Sequence, residues 1–283
     1  MATEREAGTD AEAAPSKLSV AEVLRRTAAS SVATYPQQAA PQARGVLAKL
    51  SLCRTAALGA RRYRCEDCRS ECLVYNSCGD RHCPTCRGAR RAEWVEANER
   101  LLLDGVNYFQ VVFTLPKKLS SLSLGNRRAI YNLLFQSAWL ALEETIRDEQ
   151  GYEPAALMVL HTWNQKLEAH GHVHAVVPGG GPSLDGKHWV STPTNYLVDA
   201  ESLRSAYRRH FIRGLRRLWR QGQLRLDGEF ARLRDEAEWS ELLDELSASE
   251  WVSYIEPPPR EGCDPAAVIK YLGRYLTGGP ISD

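Results

Sequence analysis

His170-Gly171-His172-Val173-His174-Ala175-Val176-Val177 alternates with a period of two. In a strand that period sends His170, His172 and His174 to one face and Val173, Ala175 and Val177 to the other. The segment therefore reads as a half-buried β-strand with an imidazole-lined outer side. Two imidazoles two residues apart on one strand can hold a divalent ion from one side and leave the other side open to substrate, as a catalytic metal requires. The plainer alternative is a polar outer face, and three histidines at one spacing weigh against it. Gln165, Glu168 and His170 are the nearby candidates for a third ligand. Oxygen donors among them would suit Mg²⁺ or Mn²⁺ better than three imidazoles would.

Working outward, the histidine strand stops at Pro178-Gly179-Gly180-Gly181. Residues 108–115 (YFQVVFTL) are β-branched and aromatic and end at Pro116, which predicts a strand, and 155–163 predict another. Between them, 126–149 carry Ile130, Leu133, Leu134, Ala138, Leu140 and Leu142 at helical spacing, an amphipathic helix. Residues 202–220 and 237–246 read as helices, and 251–255 as a fourth strand broken by Pro257-Pro258-Pro259. Asp264-Pro265 opens a last helix, with Asp at the cap and Pro at the first helical position. This order predicts an α+β fold, helices covering one face of a mostly antiparallel sheet.

Seven of the eight cysteines fall between Cys53 and Cys86, and only Cys263 lies outside. Cys65-x-x-Cys68 and Cys83-x-x-Cys86 are 14 residues apart. Paired thiols at this spacing point to metal, and two such pairs complete a tetrahedral Zn²⁺ site. Cys53, Cys72, Cys78 and His82 remain to hold a second Zn²⁺, so one or two structural ions are expected. A segment this polar has little core, and the metal would supply much of its folding energy.

The formal net charge is only +1, but it is segregated. Residues 44–100 hold 12 basic and 7 acidic side chains, and 201–220 hold 7 arginines against one glutamate. Residues 227–250 run the other way, with 9 acidic and 2 basic. Positive patches of this kind attract phosphate backbones, although a charge run alone is ordinarily a solvated helix face. Arg208, Arg209, Arg213, Arg216 and Arg217 are the candidate DNA contacts. Tyr207 and Trp219 beside them read more readily as core than as base-stacking rings. No apolar run approaches a membrane span and no secretory signal is evident, so a cytoplasmic, nucleoid-associated protein without membrane contact is expected. Tyr271 and Tyr275 stand at i and i+4 on the last helix. Taken alone, such a pair is ordinary core packing.

Together, CRTAALGARRYRC (53–65), CGDRHCPTC (78–86), VVFTLP (111–116), LHTWNQKLEAHGHVHAVVPGGG (160–181) and YLGRY (271–275) resemble one family. It is the two-tyrosine rolling-circle transposases of the insertion-sequence 91 type, whose nuclease belongs to the HUH class (histidine, hydrophobic, histidine). The resemblance implies an HUH-nuclease-like antiparallel sheet covered by helices, preceded by a small zinc-binding domain that contacts DNA. It places the HUH pair on His172 and His174, the nucleophiles on Tyr271 and Tyr275, and an upstream third ligand on Gln165 ahead of His170. It implies nicking and rejoining of single-stranded DNA at element ends and target through a 5′-phosphotyrosine, helped by Mg²⁺ or Mn²⁺. The expected organisation is a weakly ordered tail over 1–40, a zinc-binding domain over 41–103 and a catalytic domain over 104–283. The family continues beyond the tyrosine motif with a further stretch, so the catalytic domain is expected to be shortened at Asp283. A homo-oligomer is left open. The competing readings are a non-catalytic zinc-ribbon remnant, a replication initiator or relaxase with the same site, and a zinc hydrolase built on the HGHVH motif.

Overall fold

The computed structural model describes residues 20–34, 41–80, 82–164, 166, 168–258 and 266–276, and its contacts divide the chain into two units, Met1–Ala89 and Arg90–Pro280. In the first unit, α1 (Val20–Thr34) and α2 (Pro41–Ser51) pack on each other. Pro41 opens α2 with its φ already helical and no N–H to leave unbonded. Leu24, Val46 and Leu50 close around Cys53 and Cys83 as a small core. The stretch read as a weakly ordered tail thus contains α1; its Ala- and Ser-rich sequence carries only a faint apolar periodicity.

The cysteine segment continues as an antiparallel hairpin of β1 (Ala60–Arg64) and β2 (Glu71–Tyr75), paired from Ala60↔Tyr75 to Arg64↔Glu71. Both strands are exposed along their whole length. A two-stranded hairpin with no buried face is marginal alone. Then α3 (Pro84–Glu99) starts inside the second Cys-x-x-Cys, again with proline at its first position, and its later residues belong to the second unit.

The second unit is built on β3 (Tyr108–Thr114), whose alternation buries Phe109, Val111 and Phe113 on one face. A short helix, α4 (Ser120–Gly125), and the long α5 (Arg127–Gln150) follow, and Gly151 ends α5 in the left-handed conformation. Next come β4 (Leu157–Trp163), β5 (Ala169–Pro178), the small hairpin β6 (Gly180–Pro182) and β7 (Trp189–Ser191), then α6 (Ala200–Arg220) and α7 (Glu236–Ala248). Asp199 caps α6 through the Ser202 N–H, and Asp235 caps α7. The strand β8 (Ser253–Glu256) and helix α8 (Ala266–Leu276) complete the unit.

The main sheet has the order β4-β5-β3-β8, with all three pairings antiparallel. Its inner face, with Phe109, Val111, Phe113, Val173, Ala175 and Val177, packs against α5, α6 and α7 in one large core. Each valine and phenylalanine of that face contributes roughly 1.5–3 kcal/mol of burial free energy. Tyr207 is fully buried there and donates its hydroxyl to the Thr114 carbonyl, while Trp219 stacks on Trp239. The three aromatic side chains of the arginine-rich helix, Tyr207, Phe211 and Trp219, therefore pack in or against the core.

The opposite face carries the histidines. A smaller core there joins Tyr108, Val159 and Val176 of the sheet to Ile269 and Leu272 of α8, with Trp94 and Val95 of α3 beside them. Gly273 is needed for this fit, since a Cβ on it would lie 2.5 Å from Val95 Cγ2. Two of the three residues inside the YLGRY motif thus serve the docking of α8.

Candidate metal centres and active site

Antiparallel pairing of β4 with β5 sets His161 opposite His172 and Val159 opposite His174, and the register shifts between His161 and Trp163. The cross-strand neighbourhood brings a third imidazole to the pair recognised in the sequence. Ring nitrogens of His161, His172 and His174 all lie within 4.8 Å of one another. Ring centroids are 4.5 Å apart for His161–His174 and 5.1 Å for both His161–His172 and His172–His174. His161 and His174 are only 5% and 9% exposed.

Burial, with the neighbouring rings, holds the His161 imidazole down to about 3 and that of His174 to about 4. Burial also lowers His172. All three are neutral at pH 7, the state in which imidazole is a ligand. Their outer hydrogen bonds help to orient them. His172 Nδ1 donates to the His170 carbonyl at 2.9 Å, which leaves its Nε2 lone pair free to bind an ion. His174 Nδ1 lies 3.0 Å from the Gln110 side-chain amide on β3. The amide nitrogen faces the ring; with the amide flipped so that its oxygen faces Nδ1, the ring N–H would donate to it and His174 would be held in the same tautomer.

Three convergent neutral imidazoles fit a divalent ion with open coordination positions. Among the described residues, the His170 ring is not part of this group; it contributes its carbonyl instead. Glu168 is exposed and hydrogen-bonds Asn164, and Gln165 lies outside the described residues. His161 and Gln110 are the two site residues that the sequence reading missed.

Tyr271 and Tyr275 occupy positions one turn apart on α8, the helix docked on the histidine face. Their side chains lie outside the described ones. The sequence expectation places nucleophile and metal on separate elements, and α8 is the element that joins the face of the metal group.

In the first unit, the sulfurs of Cys53, Cys78, Cys83 and Cys86 lie within 4.8 Å of one another. Cys53–Cys86, Cys53–Cys83 and Cys78–Cys86 are 3.5, 3.5 and 3.6 Å apart. Four thiolates around zinc at ~2.3 Å stand at the corners of a tetrahedron with edges of about 3.8 Å, so the group fits that ion. This grouping differs from the one the spacing suggested. Asn76 N–H donates to the Gly59 carbonyl at 3.0 Å and Arg54 N–H to the Asn76 carbonyl at 3.1 Å, which closes the base of the hairpin. Cys53 and Cys78 flank that base and meet Cys83 and Cys86, whereas Cys65, Cys68 and Cys72 are carried out along the hairpin and are exposed. His82 hydrogen-bonds Asp80 and is not in the group. Burial pushes the Cys53 thiol up to about 11 and Cys78 higher still, whereas against the same burial hydrogen bonds from Cys53, Cys78 and Cys83 hold Cys86 down to about 7; one thiolate is favoured, and Cys53 and Cys78 resist ionisation until a cation compensates.

The arginines of α6 lie on the helix layer behind the sheet, on the side away from the histidines. Arg209 pairs with Glu144, and Arg208 donates to the Ser247 carbonyl. Arg213, Arg216 and Arg217 are exposed. Among the described residues, no helix is long and apolar enough to cross a membrane.

Residues 155–283 match the family model described as "Putative transposase", and residues 23–115 match "Transposase zinc-binding domain". The "Putative transposase y4qJ" of Sinorhizobium fredii is 35% identical over 266 residues, covering 93% of this chain and 66% of the relative. The transposase for insertion sequence element IS801 of Pseudomonas savastanoi pv. phaseolicola is 28% identical over 241 residues, covering 83% of this chain and 55% of that relative. The two matched segments are thus those of a transposase family and of its zinc-binding domain. The chain belongs to the insertion-sequence 91-type transposases with an N-terminal zinc-binding domain. It spans about two thirds of one relative's length and about half of the other's. The metal-bound conjugative relaxase TrwC in complex with OriT DNA is similar at 17% identity and a TM-score of 0.32, over 62% of this chain and 74% of that one.

Proposed function

We propose that this chain nicks and rejoins single-stranded DNA through a phosphotyrosine, with Tyr271 and Tyr275 as nucleophiles and His161, His172 and His174 as ligands of a divalent ion. The observation that carries this reading is the convergence of three neutral imidazoles on the sheet face that α8 covers. The phenol oxygen attacks the scissile phosphorus, the P–O3′ bond breaks, and a P–O bond to tyrosine forms. The phenol proton leaves to solvent, and the departing 3′ oxygen takes one up. Unperturbed tyrosine ionises near ~10, so the attacking phenol needs assistance at neutral pH. A bound cation supplies Lewis acidity toward the phosphate. The chain itself keeps the imidazoles neutral by burial and orients two of them through the His170 carbonyl and Gln110.

Two tyrosines on one helix allow a second strand to be cut while the first stays attached. Bond energy is conserved in the phosphotyrosine, so rejoining needs no nucleotide cofactor. An all-nitrogen donor set ranks the first-row metals above Mg²⁺, so Mn²⁺ is the better activator of the two ions expected from sequence. Arg208, Arg209, Arg213, Arg216 and Arg217 are proposed as backbone contacts, with Arg213, Arg216 and Arg217 the most available. The reaction takes place on cytoplasmic DNA. Incubation with single-stranded oligonucleotides carrying element ends, with and without Mn²⁺, tests the reading. A covalent protein–DNA band that depends on metal supports it, and free nicked product without an adduct contradicts it.

A further inference from the structure

A cleft of about 570 Å³ opens where α5 begins and α6 ends. Four arginines line it, Arg127, Arg128, Arg217 and Arg225, together with amide side chains such as Gln136 and Gln223, and no carboxylate is among its described lining. All four arginines are exposed. The nearest acid to pair with one of them is Asp227, 3.4 Å from Arg225 and shared with Arg234. The walls are fixed by the fold. Buried Asn126 accepts from the Arg225 N–H at 2.7 Å and donates to the Arg225 carbonyl at 3.0 Å, which ties the segment after α6 to the start of α5. Gln221 and Gln223 are held in turn by hydrogen bonds to the last turn of α6.

From this arrangement we infer that the cleft is a second nucleic-acid site, holding the phosphate backbone of a DNA segment other than the one at the histidines. Four cations with no lining acid suit a polyanion, and planar guanidiniums beside amides suit phosphate oxygens. The positive N-terminal end of α5 opens into the same space and adds to the field. The helices α5 and α6 cover the inner face of the sheet, while the histidines lie on the outer face. The sheet and a helix about 10 Å across therefore separate the two sites, and one phosphate cannot touch both. A strand held in the cleft is flanking or partner DNA, fixed while another segment is cut. The identity of the ligand rests on the proposed function; the charge and shape of the cleft do not.

The test compares wild-type protein with Arg127→Ala/Arg128→Ala, and separately with Arg225→Ala. The probes are a short single strand of about 8 nucleotides, within one channel's site size, and a strand several times longer. Binding is followed by fluorescence anisotropy against salt, and adduct formation by gel. The expected result is weaker binding of the long strand, with a log–log salt slope shallower by about 0.7 per arginine removed. Adduct formation on the short strand should be unchanged. Long-strand affinity and slope equal to wild type would overturn the inference, as would preferential capture of an acidic polypeptide over DNA by the cleft. If wild type forms no adduct, the proposed chemistry fails while the salt slopes still decide about the cleft.

Discussion

Replacing His161 by alanine probes the metal group where sequence spacing offers no guidance. His161 meets His172 and His174 only through the β4–β5 register, with ring nitrogens within 4.8 Å. Changing a group that merely orients a ligand costs roughly 10–100-fold in metal affinity. Removing the ligand itself should cost at least the upper end of that range, ~2.7 kcal/mol at 1.36 kcal/mol per tenfold. The assay is calorimetric titration with Mn²⁺, or with Co²⁺ read by its visible spectrum, at pH 7. His170→Ala is the control, because the main-chain carbonyl used by His172 survives the change and affinity should stay near wild type. The pH profile follows from the same side chains. With His161 held at about 3 and His174 at about 4, no proton competes with metal at neutral pH. Protons on those two rings therefore compete only far below neutrality, and the first fall in wild-type affinity on acidification should come from His172, which burial also lowers below the usual value. The linkage to folding has the matching sign. Unfolded histidine titrates near ~6.5, so the unfolded chain takes up protons that these buried imidazoles refuse. Metal-free stability accordingly declines as pH drops below that value. Wild-type affinity in His161→Ala, with a large loss in His170→Ala, would refute the assignment.

Cys53→Ser should lose zinc and unfold the first unit, whereas Cys65→Ser should keep a bound ion; elemental analysis and hydrogen exchange of residues 41–80 check both. Gln110→Ala removes the partner of His174 and should lower Mn²⁺ affinity roughly 10–100-fold without loss of the fold, measured by titration and circular dichroism. Gly273→Ala gains about 1 kcal/mol of helix propensity but forces a Cβ to within 2.5 Å of Val95, and overpacking costs ~1–3 kcal/mol. A net loss of thermal stability is expected, with recovery in the Gly273→Ala/Val95→Ala double variant.

The sheet was legible because alternation is a strong signal. Strands β3, β4 and β5 and the long helix α5 follow from apolar spacing, and the α+β class follows from their order. His172 and His174 could be paired because a strand's period fixes which neighbours share a face. His161 could not, because it belongs to a different strand, 11 positions earlier in the chain, and its place depends on pairing past a register shift. Gln110 is further still in sequence and meets His174 only through the β3–β5 ladder. The cysteines misled for a related reason. Spacing shows which thiols are adjacent in the chain, but closure of the hairpin at Gly59 and Asn76 decides which thiols meet. The charge run over 201–220 was visible, but its position behind the sheet was not, and the cleft it helps to form includes Arg127, Arg128 and Arg225 from other segments.

The central claim is that tyrosines of α8 take the phosphate. Tyr271→Phe/Tyr275→Phe keeps both rings and removes only the hydroxyls, so a purely structural role would cost about 1 kcal/mol per lost hydrogen bond and leave activity in place. The decisive measurement is peptide mapping of the covalent adduct formed by wild-type protein on single-stranded element-end DNA with Mn²⁺, with the double variant run alongside. The account predicts nucleotide on Tyr271 or Tyr275, with Tyr271 favoured for the first attack, and a double variant that binds DNA and forms no adduct. Nucleotide on any other residue, or an undiminished adduct in the double variant, would contradict it.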